Sequence, residues 1–295
     1  MKKNILELIG NTPIINLENT NQNVYVKLEG KNPGGSVKDR AVLGMILGME
    51  ERGELEPGDN LVEASSGNTG IATAMIGRIK GYNVTIIMPE SMSVERRSLI
   101  TAYGANLILT DAKKGMQGSI DKMNELLSTG EYKSLGQFNN TDNPNYHYKT
   151  TGVEILEDVE DVDIFVAGIG TGGSISGIGR YLKEKNPNIK IFGVEPSASP
   201  LINKNIAGPH KIQGIGANFI PQTLNLDVID EVLMVDDEDA IDTMKSIANN
   251  EGLLLGISSG ANIYAALELS KKYPDKKIVT LSPDGGEKYI SLNIF

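Results

Sequence analysis

Runs of apolar and β-branched residues alternate along the chain with segments whose apolar residues recur at helical spacing. Strands are predicted at residues 12–17, 23–29, 60–63, 83–88, 105–110, 163–167, 190–195 and 277–282. Helices are predicted at 39–52, 69–80, 93–103, 115–127, 173–185, 237–249 and 260–272. Alternating strands and helices are typical of βαβ units, so the pattern predicts an α/β fold with parallel-rich twisted sheets. The pattern fades between 197 and 226, where we expect a loop-rich connection.

The composition is that of an ordinary globular protein and narrows the range of partners. Hydrophobic residues make up 40% and charged residues 22% of the 295 residues, and the net charge is −10. This acidic balance argues against non-specific binding to nucleic acid or to an anionic membrane. The chain has no cysteine, which excludes disulfides and thiolate-bound metals. Glu7 interrupts the first apolar run and no run is long enough to span a bilayer, so a cytoplasmic location is expected.

The first candidate site is a lysine at the mouth of a predicted helix. Residues 32–40 read NPGGSVKDR, and the proline and glycines can hold a tight turn before the helix. Lys38 therefore lies where a rigid turn meets a helix start. An amine held there can form a Schiff base with an aldehyde cofactor. Most lysines are solvated surface charges, so this assignment depends on the other loops.

Three further loops each precede a predicted helix. Residues 64–70 read ASSGNTG, which suits a substrate carboxylate or, alternatively, a plain helix cap at Ser66 or Asn68. Residues 168–174 read GIGTGGS, whose glycines let a phosphate approach the backbone at a helix start. Residues 256–260 read GISSG, and their spacing does not choose between a cap and a ligand contact. Gln137 follows a short strand and either lines the same cleft or is only a polar strand end.

The glycine loop also satisfies a different fingerprint. Gly168, Gly170 and Gly173 have GxGxxG spacing, and Glu195 ends the next predicted strand at about the distance of a ribose-binding acid. Alone, this segment predicts an NAD-dependent oxidoreductase. His147 and His210 have no partners at metal or triad spacing, so we interpret both as structural and expect no metal site. The basic pair at 96–97 is expected to be a solvated helix face.

Together, the loops resemble the cysteine synthase family, the O-acetylserine sulfhydrylases, which are fold-type-II pyridoxal-phosphate enzymes. The shared motifs are NPGGSVKDR at 32–40, EASSGNTG at 63–70, GTGGS at 170–174, GISSGA at 256–261 and GEKYIS at 286–291. Residues 88–116 look most similar to the cysteine synthase B branch. The resemblance implies a two-lobed, tryptophan synthase β-like architecture. Its smaller mobile domain would be 40–142, its larger domain 1–39 plus 143–295, and the cofactor would lie in the cleft between them.

The resemblance also implies a role for individual residues. Lys38 matches the lysine that binds pyridoxal 5′-phosphate as an aldimine and then abstracts the α-proton of the substrate. Asn68 matches the residue that hydrogen-bonds the pyridine O3′, and Ser258 matches the serine that faces the pyridine nitrogen. The residues that match the phosphate cup are Gly170, Thr171, Gly172, Gly173 and Ser174. Those that match the substrate pocket are Ser65, Ser66, Gly67, Thr69 and Gln137, with Gly214 in a cleft-lining loop.

The implied reaction is a β-replacement through an aminoacrylate intermediate. A neutral serine at the ring nitrogen makes the ring a weaker electron sink, which favours loss of the β-substituent. The resemblance implies a homodimer that makes cysteine from a small amino-acid substrate, O-acetylserine, and a sulfur nucleophile, sulfide. In that family a C-terminal tail can cover part of the cleft, and the sequence stops at Phe295 without it, so the resemblance leaves the choice of substrate open.

Other functions stay open at this point. An L-cysteine desulfhydrase would use the same residues, releasing hydrogen sulfide and giving serine, lanthionine or cystathionine. An acidic side chain positioned for water would favour it, and Asp230 and Glu231 are the candidates considered. The alternatives from other classes are the NAD-dependent oxidoreductase and a catalytically silent binding protein. In the resembling family, however, the glycine loop holds a cofactor phosphate rather than a pyrophosphate, which argues against the dinucleotide interpretation.

Overall fold

The computed structural model describes all 295 residues and contains ten strands and ten α-helices. The strands are Ile14–Leu17 (β1), Asn21–Leu28 (β2), Asn60–Ala64 (β3), Asn83–Pro89 (β4), Asn106–Thr110 (β5), Tyr132–Lys133 (β6), Ile164–Gly168 (β7), Lys190–Pro196 (β8), Glu231–Val235 (β9) and Ile278–Ser282 (β10). The helices are Lys38–Glu51 (α1), Asn68–Lys80 (α2), Val94–Ala102 (α3), Gly115–Leu127 (α4), Asp142–Lys149 (α5), Thr151–Asp158 (α6), Gly173–Lys185 (α7), Leu201–Lys204 (α8), Asp237–Glu251 (α9) and Ile257–Lys272 (α10). None of these helices combines the length and apolarity that crossing a bilayer requires.

The strands form two sheets, which confirms the predicted α/β class. The larger sheet has the order β1-β2-β10-β7-β8-β9, and the smaller has the order β5-β4-β3-β6. Every pairing is parallel except the hairpin of β1 with β2. The larger sheet joins both ends of the chain, because β10 lies between β2 and β7.

Helices cover both faces of the larger sheet. Successive residues of a strand point to opposite faces, so a strand can pack against helices on both sides. Along β10, Ile278 packs in a core cluster with residues of α9 and α10, whereas Val279 and Leu281 pack in a second cluster with residues of α6 and α7. A third cluster joins the smaller sheet to α1 and α2. Buried strands of this kind explain the near-continuous apolar runs in the sequence.

Several boundaries differ from the prediction. Helix α1 begins at Lys38 itself, and α10 begins at Ile257 rather than at residue 260. Strand β9 and helices α5 and α6 were not predicted, since short or polar elements carry little periodic signal. Of the region 197–226, expected to be a loop-rich connection, residues 205–225 contain no helix or strand, but the short helix α8 lies within it and was not predicted.

A buried ionic network anchors the start of α1. Arg40 is fully buried, with its Nε 2.7 Å from Glu29 Oε2 and its Nη1 2.6 Å from Glu154 Oε1. Lys27, also fully buried, contacts Glu154 at 3.0 Å and Asp158 at 2.8 Å. The network ties α1 to β2 and α6, and so fixes the helix start that carries Lys38.

Candidate active site

The sequence-predicted loops converge on one cleft. Its volume is about 1910 Å³, and it lies where several strands end and several helices begin. In parallel α/β sheets the carboxyl ends of the strands are the usual place for a ligand. The lining includes the following predicted residues: Lys38, Ser65, Ser66, Gly67, Asn68, Thr69, Gln137, Gly170, Thr171, Gly214 and Ser258. Gly172, Gly173 and Ser174 continue the glycine loop into α7 behind this surface.

Lys38 occupies the first position of α1 and faces the cleft. Burial of its amine lowers the pKa of Lys38 below its ordinary value of 10.5, and the nearby carboxylate of Asp284 partly counteracts this. Burial disfavours the charged ammonium, so a larger fraction of the amine is neutral than in a surface lysine. A neutral amine is the form that attacks an aldehyde or accepts a proton.

The loop between β3 and α2 is held by its own hydroxyl groups. Ser65 Oγ accepts hydrogen bonds from Gly70 N at 3.0 Å and Gly67 N at 3.4 Å. Ser65, rather than Ser66 or Asn68, therefore satisfies the start of α2, and its hydroxyl proton can still be donated. Thr69 Oγ1 donates to Gln137 Oε1 at 2.8 Å. The predicted substrate residues thus form one polar wall with several donors.

Asn68 forms hydrogen bonds with two residues near the C-terminus to which the sequence analysis assigned no role in the site. Its Nδ2 donates to Asp284 Oδ2 at 2.8 Å, and its Oδ1 accepts from Lys288 Nζ at 2.8 Å. Lys288 also donates to Gly35 O at 2.9 Å, and Tyr289 donates to Asp284 Oδ2 at 2.8 Å. Burial raises the pKa of Asp284, while Asn68 and Lys288 stabilise its ionised form. Part of the signal was present, because Lys288 and Tyr289 belong to the GEKYIS motif noted at 286–291, whereas Asp284 precedes it.

The glycine loop is a tight cradle at the N-terminus of α7. Gly172 has φ +82°, a conformation that L side chains rarely adopt, and it immediately precedes the helix. A Cβ at Gly170 would collide with the carbonyl oxygen of Gly214, and one at Gly173 would collide with the amide of Asn143. The backbone N–H groups at this helix start have no intrahelical acceptors and favour an anion. Thr171 and Ser174 add hydroxyl groups, so the loop fits a phosphate.

Ser258 lies opposite this loop in the first turn of α10 and is 3% exposed. A Cβ built on Gly214 would lie 3.5 Å from Ser258 Oγ, so the 214 loop passes directly over the serine. One cleft therefore contains a neutral hydroxyl, a lysine amine, an amide and an anion-binding loop. This donor set fits pyridoxal phosphate, whose aldehyde, phenolic oxygen, phosphate and ring nitrogen each need one such partner.

Arg96 of α3 is not a solvated surface charge, which corrects the expectation for this member of the 96–97 pair. Its Nη2 donates to Gln213 Oε1 at 2.7 Å, and its Nη1 donates to Ser66 O at 3.2 Å. The guanidinium also lies 5.9 Å from the ring centre of Tyr289. Arg96 thus connects the loop between β3 and α2, named here the substrate loop after its predicted role, to two segments on the opposite side of the cleft.

The dinucleotide interpretation has no support in this geometry. The Glu195 carboxylate is buried and accepts hydrogen bonds from Ile202 N at 2.8 Å and from Asn203 N at 3.0 Å. These bonds tie the end of β8 to the short helix α8. The carboxylate is therefore occupied by structural contacts rather than presented to a ribose.

The acidic residues considered for water activation lie away from the cleft. Asp230 accepts from Lys183 Nζ and from Ile191 N, both at 2.7 Å, and Glu231 is an exposed residue at the start of β9. The buried carboxylates that do line the cleft are Glu63 and Asp284. Glu63 is bound by Ser134 Oγ at 2.8 Å and Leu135 N at 2.6 Å.

The chain is similar to pyridoxal-phosphate dependent enzymes in both sequence and fold. A family model described as "Pyridoxal-phosphate dependent enzyme" matches residues 5–284. Cysteine synthase B of Campylobacter jejuni is 53% identical over 293 residues, covering 99% of this chain and 98% of that protein. The fold is similar to cysteine synthase of Entamoeba histolytica, with TM-score 0.96 and 40% identity over 100% of this chain and 91% of that one. A hydrogen sulfide-producing enzyme from Fusobacterium nucleatum has TM-score 0.93 and 46% identity, covering 98% of this chain and 100% of that one.

Proposed function

Because the chain belongs to the cysteine synthases of the pyridoxal-phosphate dependent enzyme family, we propose that it makes cysteine from O-acetylserine and sulfide by β-replacement. The observation that carries the proposal is the convergence of Lys38, Asn68, Ser258 and the glycine loop on one cleft. Pyridoxal phosphate, when bound there, supplies an electron-withdrawing ring conjugated to the amino group of the substrate.

Lys38 is the proposed catalytic base. Its amine has a lowered pKa because it is buried, so a larger fraction of it can accept the α-proton of the substrate than in a surface lysine. The turn at residues 34–35 and the buried Arg40 network hold the start of α1, which keeps the amine in one place. Fixing the base in this way lowers the entropic cost of proton transfer.

The donors of the substrate loop are proposed to bind the carboxylate of the amino acid. The hydroxyl groups of Ser65, Ser66 and Thr69 and the amide of Gln137 line one wall. Binding there would orient the Cα–H bond towards Lys38. It would also draw the loop over the substrate and exclude water from the cleft.

Ser258 and Asn68 are proposed to face the cofactor ring from its two polar edges. The hydroxyl of Ser258 is neutral, so it does not favour a protonated ring nitrogen as a carboxylate would. Asn68 uses one amide N–H on Asp284, which leaves its second N–H to donate to a phenolic oxygen.

The choice of sulfide over water as nucleophile rests on the acidic residues. Asp230 and Glu231, the two acidic residues considered for water activation, lie outside the cleft. Neither is therefore placed beside Lys38 to activate water. This supports cysteine synthesis over conversion of cysteine to serine and sulfide, although the Fusobacterium neighbour is a hydrogen sulfide-producing enzyme.

One experiment tests the proposal with both reactions in parallel. The holoenzyme is assayed for cysteine formation from O-acetylserine and sulfide, and for sulfide release from cysteine alone. Lys38→Ala should abolish the first reaction, whereas Lys31→Ala, a change at an exposed lysine just before the same loop, should retain it. Faster sulfide release than cysteine formation would favour the desulfhydrase and overturn the proposed direction.

We also propose a homodimer, a cytoplasmic location and a smaller mobile domain at 40–142. The resemblance to the family supports the first proposal, and the acidic composition is compatible with the second. The position of the substrate loop and Arg96 on the smaller sheet's side of the cleft supports the third. Light scattering tests the assembly, and small-angle scattering with and without a substrate analogue tests closure.

A further inference from the structure

The phosphate cradle has no cation of its own. Residues 168–174 contain neither lysine nor arginine, so a bound phosphate would depend on backbone N–H groups and on two hydroxyls, those of Thr171 and Ser174. A hydroxyl stabilises an anion only if its proton points at the anion. The groups that orient these two hydroxyl protons therefore determine how tightly the phosphate binds.

Helix α5 lies directly behind the cradle and presents two buried polar side chains one turn apart. Asn143 and His147 are each 1% exposed. Asn143 Nδ2 lies 3.1 Å from Thr171 Oγ1, and His147 Nε2 lies 3.2 Å from Ser174 Oγ. Gly177 of α7 permits this close approach, because a Cβ there would collide with α5.

The bonds to Thr171 leave its hydroxyl proton free. Thr171 Oγ1 accepts from Asn143 Nδ2 and from Gly173 N at 3.3 Å. A hydroxyl oxygen accepts two hydrogen bonds and donates one. Both accepting positions are therefore filled, and the remaining proton can only be donated, towards the cleft that Thr171 lines.

The hydroxyl of Ser174 is oriented in a similar way by His147. The other ring nitrogen, Nδ1, lies 2.8 Å from Thr151 Oγ1. Burial, reinforced by the charges of Arg40 and Lys38, lowers the pKa of His147 well below its ordinary value, so the ring is neutral and carries a single N–H. If Thr151 donates to Nδ1, that N–H is on Nε2 and donates to Ser174, whose own proton is then free.

We propose that Asn143 and His147, with Thr151 behind the histidine, are positioning residues that preset the hydroxyls of Thr171 and Ser174 as donors to the cofactor phosphate. The proposal rests on the proposed function, since it requires that pyridoxal phosphate binds here. It gives His147 a role beyond the purely structural one that the sequence indicated.

The first test is the tautomer of His147 in the holoenzyme. The chain has only two histidines, so ¹⁵N-histidine NMR gives two sets of ring signals, and His147→Phe assigns them. The proposal predicts the Nε2–H tautomer for His147, with no titration between about pH 6 and 8. An Nδ1–H ring would overturn the relay, because Ser174 would then donate to the histidine. A charged ring would also overturn it, because Nδ1–H would then donate to Thr151 instead of accepting from it.

The second test compares two probes that differ only in the phosphate. His147→Phe and Thr151→Val should each raise the Kd of the apoenzyme for pyridoxal phosphate, His147→Phe by about tenfold, the range expected when a hydrogen bond to a charged group is lost. The Kd for pyridoxal, which lacks the phosphate, should stay the same. Thr150→Val is the matched control, because Thr150 Oγ1 bonds only to Tyr146 O within α5.

The outcomes separate this inference from the function on which it rests. An equal rise of both Kd values in the variants would mean that α5 contributes packing alone, and the inference would be wrong. A wild-type protein that binds neither probe would instead refute the proposed function. A change confined to pyridoxal phosphate, absent in Thr150→Val, is the result we expect.

Discussion

Replacement of Arg40 by methionine should cause a large loss of stability. The guanidinium is fully buried and donates to Glu29 through Nε and Nη2, to Glu154 through Nη1 and Nη2, and to Thr12 Oγ1 at 3.2 Å. Methionine fills a similar volume but leaves two carboxylates facing each other. Glu29 would keep only neutral donors, and Glu154 would keep Lys27.

Two lines of reasoning give the same magnitude. Removing one partner of a buried ion pair costs about 3–5 kcal/mol, because the other charge stays in the interior unpaired. Independently, burial would raise the pKa of Glu154, but hydrogen bonds and the charge of Arg40 outweigh it and lower the pKa from 4.5 to about 2. That difference corresponds to about 3 kcal/mol of stability at neutral pH.

The sign of the pH dependence follows from the lowered pKa. The contribution of Glu154 is complete well above pH 4.5 and is lost as the pH falls towards 2. About 1 kcal/mol should already be gone at pH 4. The gap between wild type and Arg40→Met should therefore be smaller at pH 4 than at pH 7.

Urea unfolding of the holoprotein, followed by circular dichroism at a fixed cofactor concentration, measures the effect. Arg52→Met is the matched control at the C-terminal end of the same helix, because Arg52 is 44% exposed and its ion pairs with Glu54 and Asp142 are not fully buried. It should change the midpoint little. An Arg40→Met midpoint equal to that of Arg52→Met would refute the reasoning.

Three further predictions concern the cleft. Lys288→Met should raise the Kd of the apoenzyme for pyridoxal phosphate about tenfold, because Asn68, which is proposed to face the cofactor ring, loses a charged donor, whereas Lys288→Arg should retain most of the affinity; equal Kd values in both variants would contradict this. Arg96→Met should raise KM more than it changes kcat, because Arg96 holds the substrate loop against Gln213; a loss of kcat alone in steady-state kinetics would argue against that role. Burial raises the pKa of Asp39 from 3.8 to about 7, so stability present below about pH 4 is lost as the pH rises to 7; Asp39→Asn should flatten this decline in thermal unfolding, and an unchanged decline would be contrary evidence.

The fold and the main loops were accessible from the sequence because their signals are local. Apolar periodicity marks the buried strands and helices, and the loop around Lys38 places a lysine where a turn meets a helix. Each depends on residues close together in the chain. Local patterns of this kind predict element type well and boundaries less well, as the earlier start of α10 illustrates.

The contacts that complete the site were not accessible in this way. Lys288 reaches Asn68 across 220 positions, and Arg96 reaches Gln213 across 117 positions. No spacing rule joins residues so far apart, and a lone charged side chain is usually exposed. His147 likewise has no partner at motif spacing, yet helix packing brings its ring to Ser174. The roles of these residues in the site can be recognised only when the fold is known.

The most direct test of the central claim is to locate the lysine that carries the cofactor. Borohydride reduction of the holoenzyme makes the link between the aldehyde and a lysine amine permanent, and peptide mass spectrometry then identifies the modified residue. We predict that the modification lies on Lys38 and is absent from Lys288, the other lysine in the cleft. Modification of Lys288 instead, or of no lysine, would contradict the account.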